Sequence, residues 1–266
     1  MYNVTYHRAS SVDDAVRLIG DADDGKFVSG GMTLIPAMKI RLAAPTDLVD
    51  LTRIPALKGV KVDGRNVRIG AGTIHADVAA SKELAKACPA LAGLAGMIGD
   101  PAVRHRGTIG GSIANNDPAA DYPAALLALG ATVVTNKREI PTEDFFTGLF
   151  ETALEDGEMV TAVTFTAPEK AGYEKFRNPA SRYAIVGVFV AKSAGGVRAA
   201  VTGAGEDGVF RSKEIEAALA GSLDPSALDG VTIPSAELMS DIHASADYRA
   251  SLIKVMAKRA VAKALA

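Results

Sequence analysis

Apolar and polar positions alternate along this chain with two periods, and the period changes mark its elements. In SSVDDAVRLI, Ala15, Leu18 and Ile19 share one helical face, acidic residues fill the first turn, and Ser10 or Ser11 is placed to cap it. KFVSGG reads as a short buried strand running into a glycine turn. MTLIPAMKIRLAAPTDLVDLTRI is apolar and punctuated by Pro36 and Pro45, which predicts a short helix and then a strand over Asp47–Asp50. VKVDGRNVRIGAGT alternates with period two around Asp63-Gly64, the pattern of a hairpin. The spacing predicts helix over 75–99 and a further helix over Ala124–Leu129, with Pro123 in its first turn.

After about residue 168 the texture changes. YEKFRNPASRYAIVGVFVAKSAGGVRAAVTGAGE reads as strands around turns, and Ser212–Ala220 and Asp247–Ala266 read as Ala-rich helices. TAPEKAGYE, at 166–174, is the linker candidate between an α+β domain over 1–168 and a smaller α+β domain over 169–266. A length of 266 residues fits two compact units better than one core.

With 48% hydrophobic and 23% charged residues, the composition is that of a soluble globular protein. The formal net charge of -2 gives no electrostatic case for nucleic acid or an anionic membrane surface. The longest apolar run, AALLALGATVV at 124–134, falls far short of the roughly 20 residues a bilayer requires. The first residues carry no secretory pattern, so a cytoplasmic location is expected.

The single cysteine, Cys88, reads as a buried small hydrophobe and leaves no internal disulfide or Cys-ligated iron–sulfur cluster for this chain alone. His7, His75, His105 and His243 are not spaced as ligand pairs, so no protein-held metal is expected, and His75 reads as a helix-start residue. Asp117, before Pro118, reads as a turn or cap residue, and Arg104, His105 and Arg106 as a solvated face or partner contact. Two segments echo each other: Ser29-Gly30-Gly31-Met32-Thr33 and Thr108-Ile109-Gly110-Gly111-Ser112. One glycine pair is ordinarily a tight turn. Two such loops brought together can cradle a diphosphate through backbone N–H groups and hydroxyls without a P-loop lysine. Neither matches GxGxxG after a first strand, which disfavours a Rossmann unit.

Three blocks in order, SGGMTLIPAMKIRLAAPTDLVDL, IGAGTIHADV and GDPAVRHRGTIGGSIANNDPAADYPAALLALGA, together with KFRNPASRYAIVGV, resemble the FAD-binding medium subunit of the molybdenum hydroxylases, the family of carbon monoxide dehydrogenase and xanthine dehydrogenase. The resemblance implies a two-subdomain FAD-binding fold of the vanillyl-alcohol oxidase type, with subdomains at about 1–55 and 56–168, followed by the C-terminal domain. It implies noncovalent FAD, its pyrophosphate on Ser29, Gly30, Gly31, Met32, Thr33, Thr108, Ile109, Gly110, Gly111 and Ser112. Asp121 would accept from ribityl or ribose hydroxyls, Tyr183 would lie against the isoalloxazine, and Lys175 would approach the flavin. Ser29, Met32-Thr33 and Ser112 differ from residues common in the family, a change in side chains and not in the glycines.

The function so implied is electron transfer: FAD takes electrons from the [2Fe-2S] clusters of a small subunit, fed by a molybdenum-binding large subunit, and passes them to NAD, a quinone or oxygen. A dimer of heterotrimers is the assembly implied. No side chain of this chain is expected to do catalysis on the substrate. Two other readings are a self-contained FAD oxidoreductase acting on its own small substrate and a non-catalytic nucleotide-binding scaffold.

Overall fold

Three main β-sheets, each with its own helices, follow one another along residues 1–266 of the computed structural model, and a two-stranded hairpin forms a fourth, small sheet. The first is small and parallel: β1 (Thr5–Arg8), α1 (Val12–Gly20), β2 (Gly25–Val28), α2 (Leu34–Lys39) and β3 (Asp47–Asp50), in sheet order β1-β3-β2. Ser11 is the cap of α1, its hydroxyl accepting from the Asp14 amide at 3.1 Å. Ala9, Ala15, Val49, Leu51, Ile54 and Leu57 form the core of this lobe.

The second lobe begins with the expected hairpin, β4 (Val60–Asp63) and β5 (Asn66–Gly70). Asp63 pairs with Asn66, so the turn is Gly64-Arg65, one residue later than expected, with Gly64 at φ 56°. The helical run that follows is broken into α3 (His75–Ala80), α4 (Lys82–Ala87) and α5 (Pro89–Gly96). Ser81 leaves the helical region (ψ 112°) and its hydroxyl caps α4, while Cys88 leaves it too (φ -151°, ψ 79°) because Pro89 excludes it from the helix. Then come α6 (Pro101–Arg104), α7 (Ile109–Asn115) and α8 (Asp121–Leu129), the last starting three residues before the helix expected at Ala124. β6 (Thr132–Thr135), β7 (Glu139–Pro141), α9 (Thr142–Phe145), the hairpin β8 (Phe146–Gly148) and β9 (Glu151–Thr152), and β10 (Val160–Thr166) complete the lobe. Its sheet is antiparallel, in the order β4-β5-β10-β6-β7.

The third sheet is an antiparallel meander: β11 (Lys170–Arg177), β12 (Ala184–Ser193), β13 (Gly196–Gly205) and β14 (Gly208–Arg211). α10 (Lys213–Leu219) is capped by Ser212, and α11 (Ala246–Leu265) by Ser245. Leu252, Ile253, Met256, Ala257, Ala260, Val261 and Ala264 line the inner face of α11 at helical spacing. That helix comes so close to β11 that a Cβ on Gly172 would strike the Ala260 carbonyl.

Helix α8 sits between the second and third lobes. Every residue from Asp121 to Ala128 is buried, because α5 and α7 cover one side and β12, β13 and β14 the other. Accordingly Tyr173, Phe189, Ala191 and Ala200 of the third sheet belong to the same core cluster as α3, α5 and α8. Cys88 is fully buried in that cluster, and burial pushes its thiol up to about 11. No helix is long and apolar enough to cross a membrane.

Candidate functional site

Gly30 and the turn before α7 meet backbone to backbone. A Cβ on Gly30 would collide with the Arg106 carbonyl and stand 2.8 Å from the Cα of Gly107. Gly31 is left-handed at φ 70°, a conformation that favours glycine. Beyond this crossing lies a cleft of about 710 Å³, within the size range of cofactor sites. Its wall draws on all three lobes: residues 29–34, Ala71, Gly72 and His75, the first turn of α7, Asp117 and Asp121, Glu158–Val160, and Ser181–Tyr183.

Hydrogen bonding separates the two glycine segments. The amides of Ser29, Gly30, Gly31, Met32, Thr33 and Leu34 donate to no acceptor within the chain. Six consecutive open donors around a left-handed glycine make a concavity suited to an anion. The second segment is different, because it is the first turn of α7 and not a loop. Its amides from Ile109 onward are already engaged: Ile109 donates to the Thr73 carbonyl at 3.1 Å, Gly110 to the Ala71 carbonyl at 2.8 Å, Gly111 to the Thr108 hydroxyl at 3.1 Å, and Ser112 to the Thr108 carbonyl at 3.0 Å. This segment presents the Thr108 and Ser112 hydroxyls and open space.

Its two glycines also have different causes. A Cβ on Gly110 would lie 2.5 Å from the Ala71 Cβ and 2.7 Å from the Ala71 carbonyl, so Gly110 permits α7 to approach the turn that follows β5. A Cβ on Gly111 would meet only the Thr108 hydroxyl, at 3.0 Å, so this glycine lowers the cleft wall. Ile109 is fully buried in the core and is not part of the wall.

Asp121 opens α8 at the back of the cleft. Both its oxygens lie 3.0 Å from Lys175 Nζ, and Oδ1 also accepts from the Tyr173 hydroxyl. Burial pushes this carboxyl up, and Lys175 and Tyr173 oppose that push. Lys175 is therefore joined to the cleft through Asp121 and does not line it. Tyr183 follows Arg182, which is left-handed at φ 64°; it is 46% exposed and faces the cleft, where a core-filling tyrosine would be buried.

Two cleft residues escaped the sequence reading as site residues. His75 does start α3, but the bridge of Ile74 with Thr108 folds its ring inward, and a Cβ on Gly107 would lie 2.6 Å from its Nε2. The ring packs 5.4 Å from that of Tyr122, and burial, with Arg104 nearby, lowers its pKa to about 4. Its Nδ1 and the Tyr122 hydroxyl have no partner within the chain. Glu158 has a fully buried side chain. Burial raises its carboxyl, yet bonds from Arg138, the Glu155 amide and Thr135 outweigh that and bring it to about 2. His75 stands inside the block IGAGTIHADV, where it reads only as a helix start, and Glu158 stands in no recognisable motif; the fold brings both to the cleft. In the basic cluster His105 and Arg106 are exposed, Arg104 donates to the Ile98 and Gly99 carbonyls, and the Arg106 backbone abuts Gly30.

These features fit a dinucleotide. Open amides and a glycine crossing suit a diphosphate, Asp121 and the Thr108 and Ser112 hydroxyls suit sugar hydroxyls, and Val28, Leu34, Leu51, Leu57 and Ile98 suit flat rings. No group of three His, Cys, Asp or Glu side chains converges as metal ligands would. The class defined is thus a three-lobed nucleotide-cofactor subunit. Residues 2–168 match the family described as the FAD binding domain in molybdopterin dehydrogenase. The chain is 34% identical over 272 residues to the carbon monoxide dehydrogenase medium chain of Hydrogenophaga pseudoflava, covering 96% of this chain and 95% of that one. It is 34% identical to the nicotine 6-hydroxylase medium subunit of Paenarthrobacter nicotinovorans, covering 98% and 97%. Among solved structures, carbon monoxide dehydrogenase from Hydrogenophaga pseudoflava superposes with a TM-score of 0.87 at 35% identity, over 99% of this chain and 98% of that one. Quinoline 2-oxidoreductase from Pseudomonas putida 86 gives 0.87 at 28% identity, over 99% and 97%. The chain belongs to the FAD-binding medium subunits of the molybdenum hydroxylases, and is the flavoprotein component of an oxidoreductase.

Proposed function

We propose that this subunit holds FAD noncovalently in the cleft and works beside a molybdenum-binding large subunit and a small subunit with two [2Fe-2S] clusters, in a cytoplasmic dimer of heterotrimers. When bound, FAD supplies the exchange between single electrons from the clusters and an external acceptor. The observation that carries this reading is the run of open amides at Ser29–Leu34 facing a glycine crossing. In it, the amides of Ser29, Gly30, Gly31, Met32 and Thr33 bind the pyrophosphate, assisted by the Thr108 and Ser112 hydroxyls over the low wall at Gly111. Ile109 and Gly110 serve by placing that turn against Thr73 and Ala71. Asp121 orients a sugar or ribityl hydroxyl, Lys175 and Tyr173 orient Asp121, and Tyr183 offers its ring to the isoalloxazine. The divisions at about 55 and 168 then separate two FAD-clasping subdomains from a C-terminal domain that closes the cleft.

The purified chain, alone and coexpressed with its partner subunits, should show a flavin absorption spectrum and release FAD on heating. A chain that stays colourless in both preparations after FAD is added would refute the proposal.

A further inference from the structure

Asp117 is left over by that assignment. It follows Asn116, which ends α7 in a left-handed conformation (φ 42°, ψ 48°) and whose Nδ2 donates to the Gly148 and Glu151 carbonyls, each at 2.8 Å. On its other side the Pro118 carbonyl accepts from the Gly203 amide at 2.8 Å and the Thr202 hydroxyl at 2.9 Å. Asp117 is thus pinned between the β8–β9 hairpin and β13. Its Oδ1 accepts from the Ala119 amide at 2.9 Å, the turn role expected from Asp-Pro. Its other oxygen has no partner within the chain, and the half-buried carboxyl lines the cleft.

We propose that Asp117 holds a proton and delivers it to the cofactor during reduction, an inference that rests on the FAD reading above. Iron–sulfur clusters hand over electrons and no protons, whereas full reduction of FAD takes two electrons and two protons to give FADH2. The electrons come from the small subunit. One proton leaves the Asp117 carboxyl, which becomes a carboxylate and is reprotonated from solvent at the cleft mouth; the second comes from water.

The other titratable groups on the wall are Lys26, His75, Asp121, Glu158, Arg182 and Tyr183. His75 is neutral above about pH 4, Glu158 is ionised above about pH 2, and Asp121 is bonded through both oxygens to Lys175. Lys26 and Arg182 are cations, and the Tyr183 hydroxyl is pushed up by burial and by Asp117 and Asp121. Burial also pushes the Asp117 carboxyl up, against the Ala119 amide, which favours its protonated form.

Carboxyl ¹³C titration of the full chain, without and with FAD, should place Asp117 above the ordinary value of about 3.9; a value at or below it overturns the proposal. Asp117→Asn keeps the turn and cannot carry the proton. In the FAD-loaded complex reduced by dithionite, it should retain wild-type FAD content while flavin bleaching slows about 100-fold and loses its pH dependence. Unchanged bleaching, or loss of FAD from the variant, overturns the proton role. Absence of FAD from the wild type refutes the FAD reading itself.

Discussion

Gly110 and Gly111 are neighbours with separable consequences. Gly110→Val forces atoms into the Ala71 backbone, so it should lower stability by about 1–3 kcal/mol or prevent folding, read as a fall in the thermal midpoint. Gly111→Val meets one movable hydroxyl, so helix content by circular dichroism should stay while FAD content falls at least tenfold. Sequence reasoning finds the pair but not this difference, since it depends on Ala71, in the turn after β5 and distant in sequence. His75 is a second residue-scale case. Its folded pKa of about 4 lies below the ordinary 6.5, so the unfolded chain binds the proton first. The stability it contributes is present above pH 6.5 and is lost as pH falls through 6.5 toward 4. Urea unfolding at pH 7 and pH 5 should differ by about 2 kcal/mol more in wild type than in His75→Phe.

At the scale of elements, amphipathic pieces were legible in outline and completely buried ones only in part. The spacing of α1, the β4–β5 hairpin and the two C-terminal helices shows in the residues, because each has one wet face, whereas β3, with no exposed residue, is marked by the prolines before it. Helix α8 has none: apolar all round, it is expected over Ala124–Leu129, and what the pattern misses is its first turn, which opens at the charged Asp121. The short strands β6 to β9, of two to four residues, carry too few alternations to announce themselves. The Asp121–Lys175 pair ties α8 to β11, and its energetics follow from burial. Lys175→Met strands a buried carboxylate and should cost about 3–5 kcal/mol; pairing it with Asp121→Leu should recover most of that in thermal unfolding.

For the whole molecule, the linker near residue 168 marks a change of sheet and not an edge of the core. Burial of Tyr173 and Phe189 against the second lobe is worth about 3–6 kcal/mol, a large share of a typical folding free energy. A fragment of residues 1–168 should therefore expose α8, bind a hydrophobic dye and lose cooperative unfolding, whereas stable, cooperative folding of that fragment would show the lobes to be independent. The family was legible from the order of its glycine blocks; the meeting of three lobes at one cleft was not, because it is made by contacts between distant segments. The six open amides at Ser29–Leu34 have a consequence for biogenesis. A loop whose donors are satisfied only by what it binds is a hydration-dependent, unfinished piece of architecture, and ligand occupancy stabilises it in proportion to the logarithm of cofactor concentration. On the proposed assignment of these amides to the cofactor, maturation of the subunit is linked to cellular flavin supply, and deuterium uptake at those amides should fall at the moment of insertion.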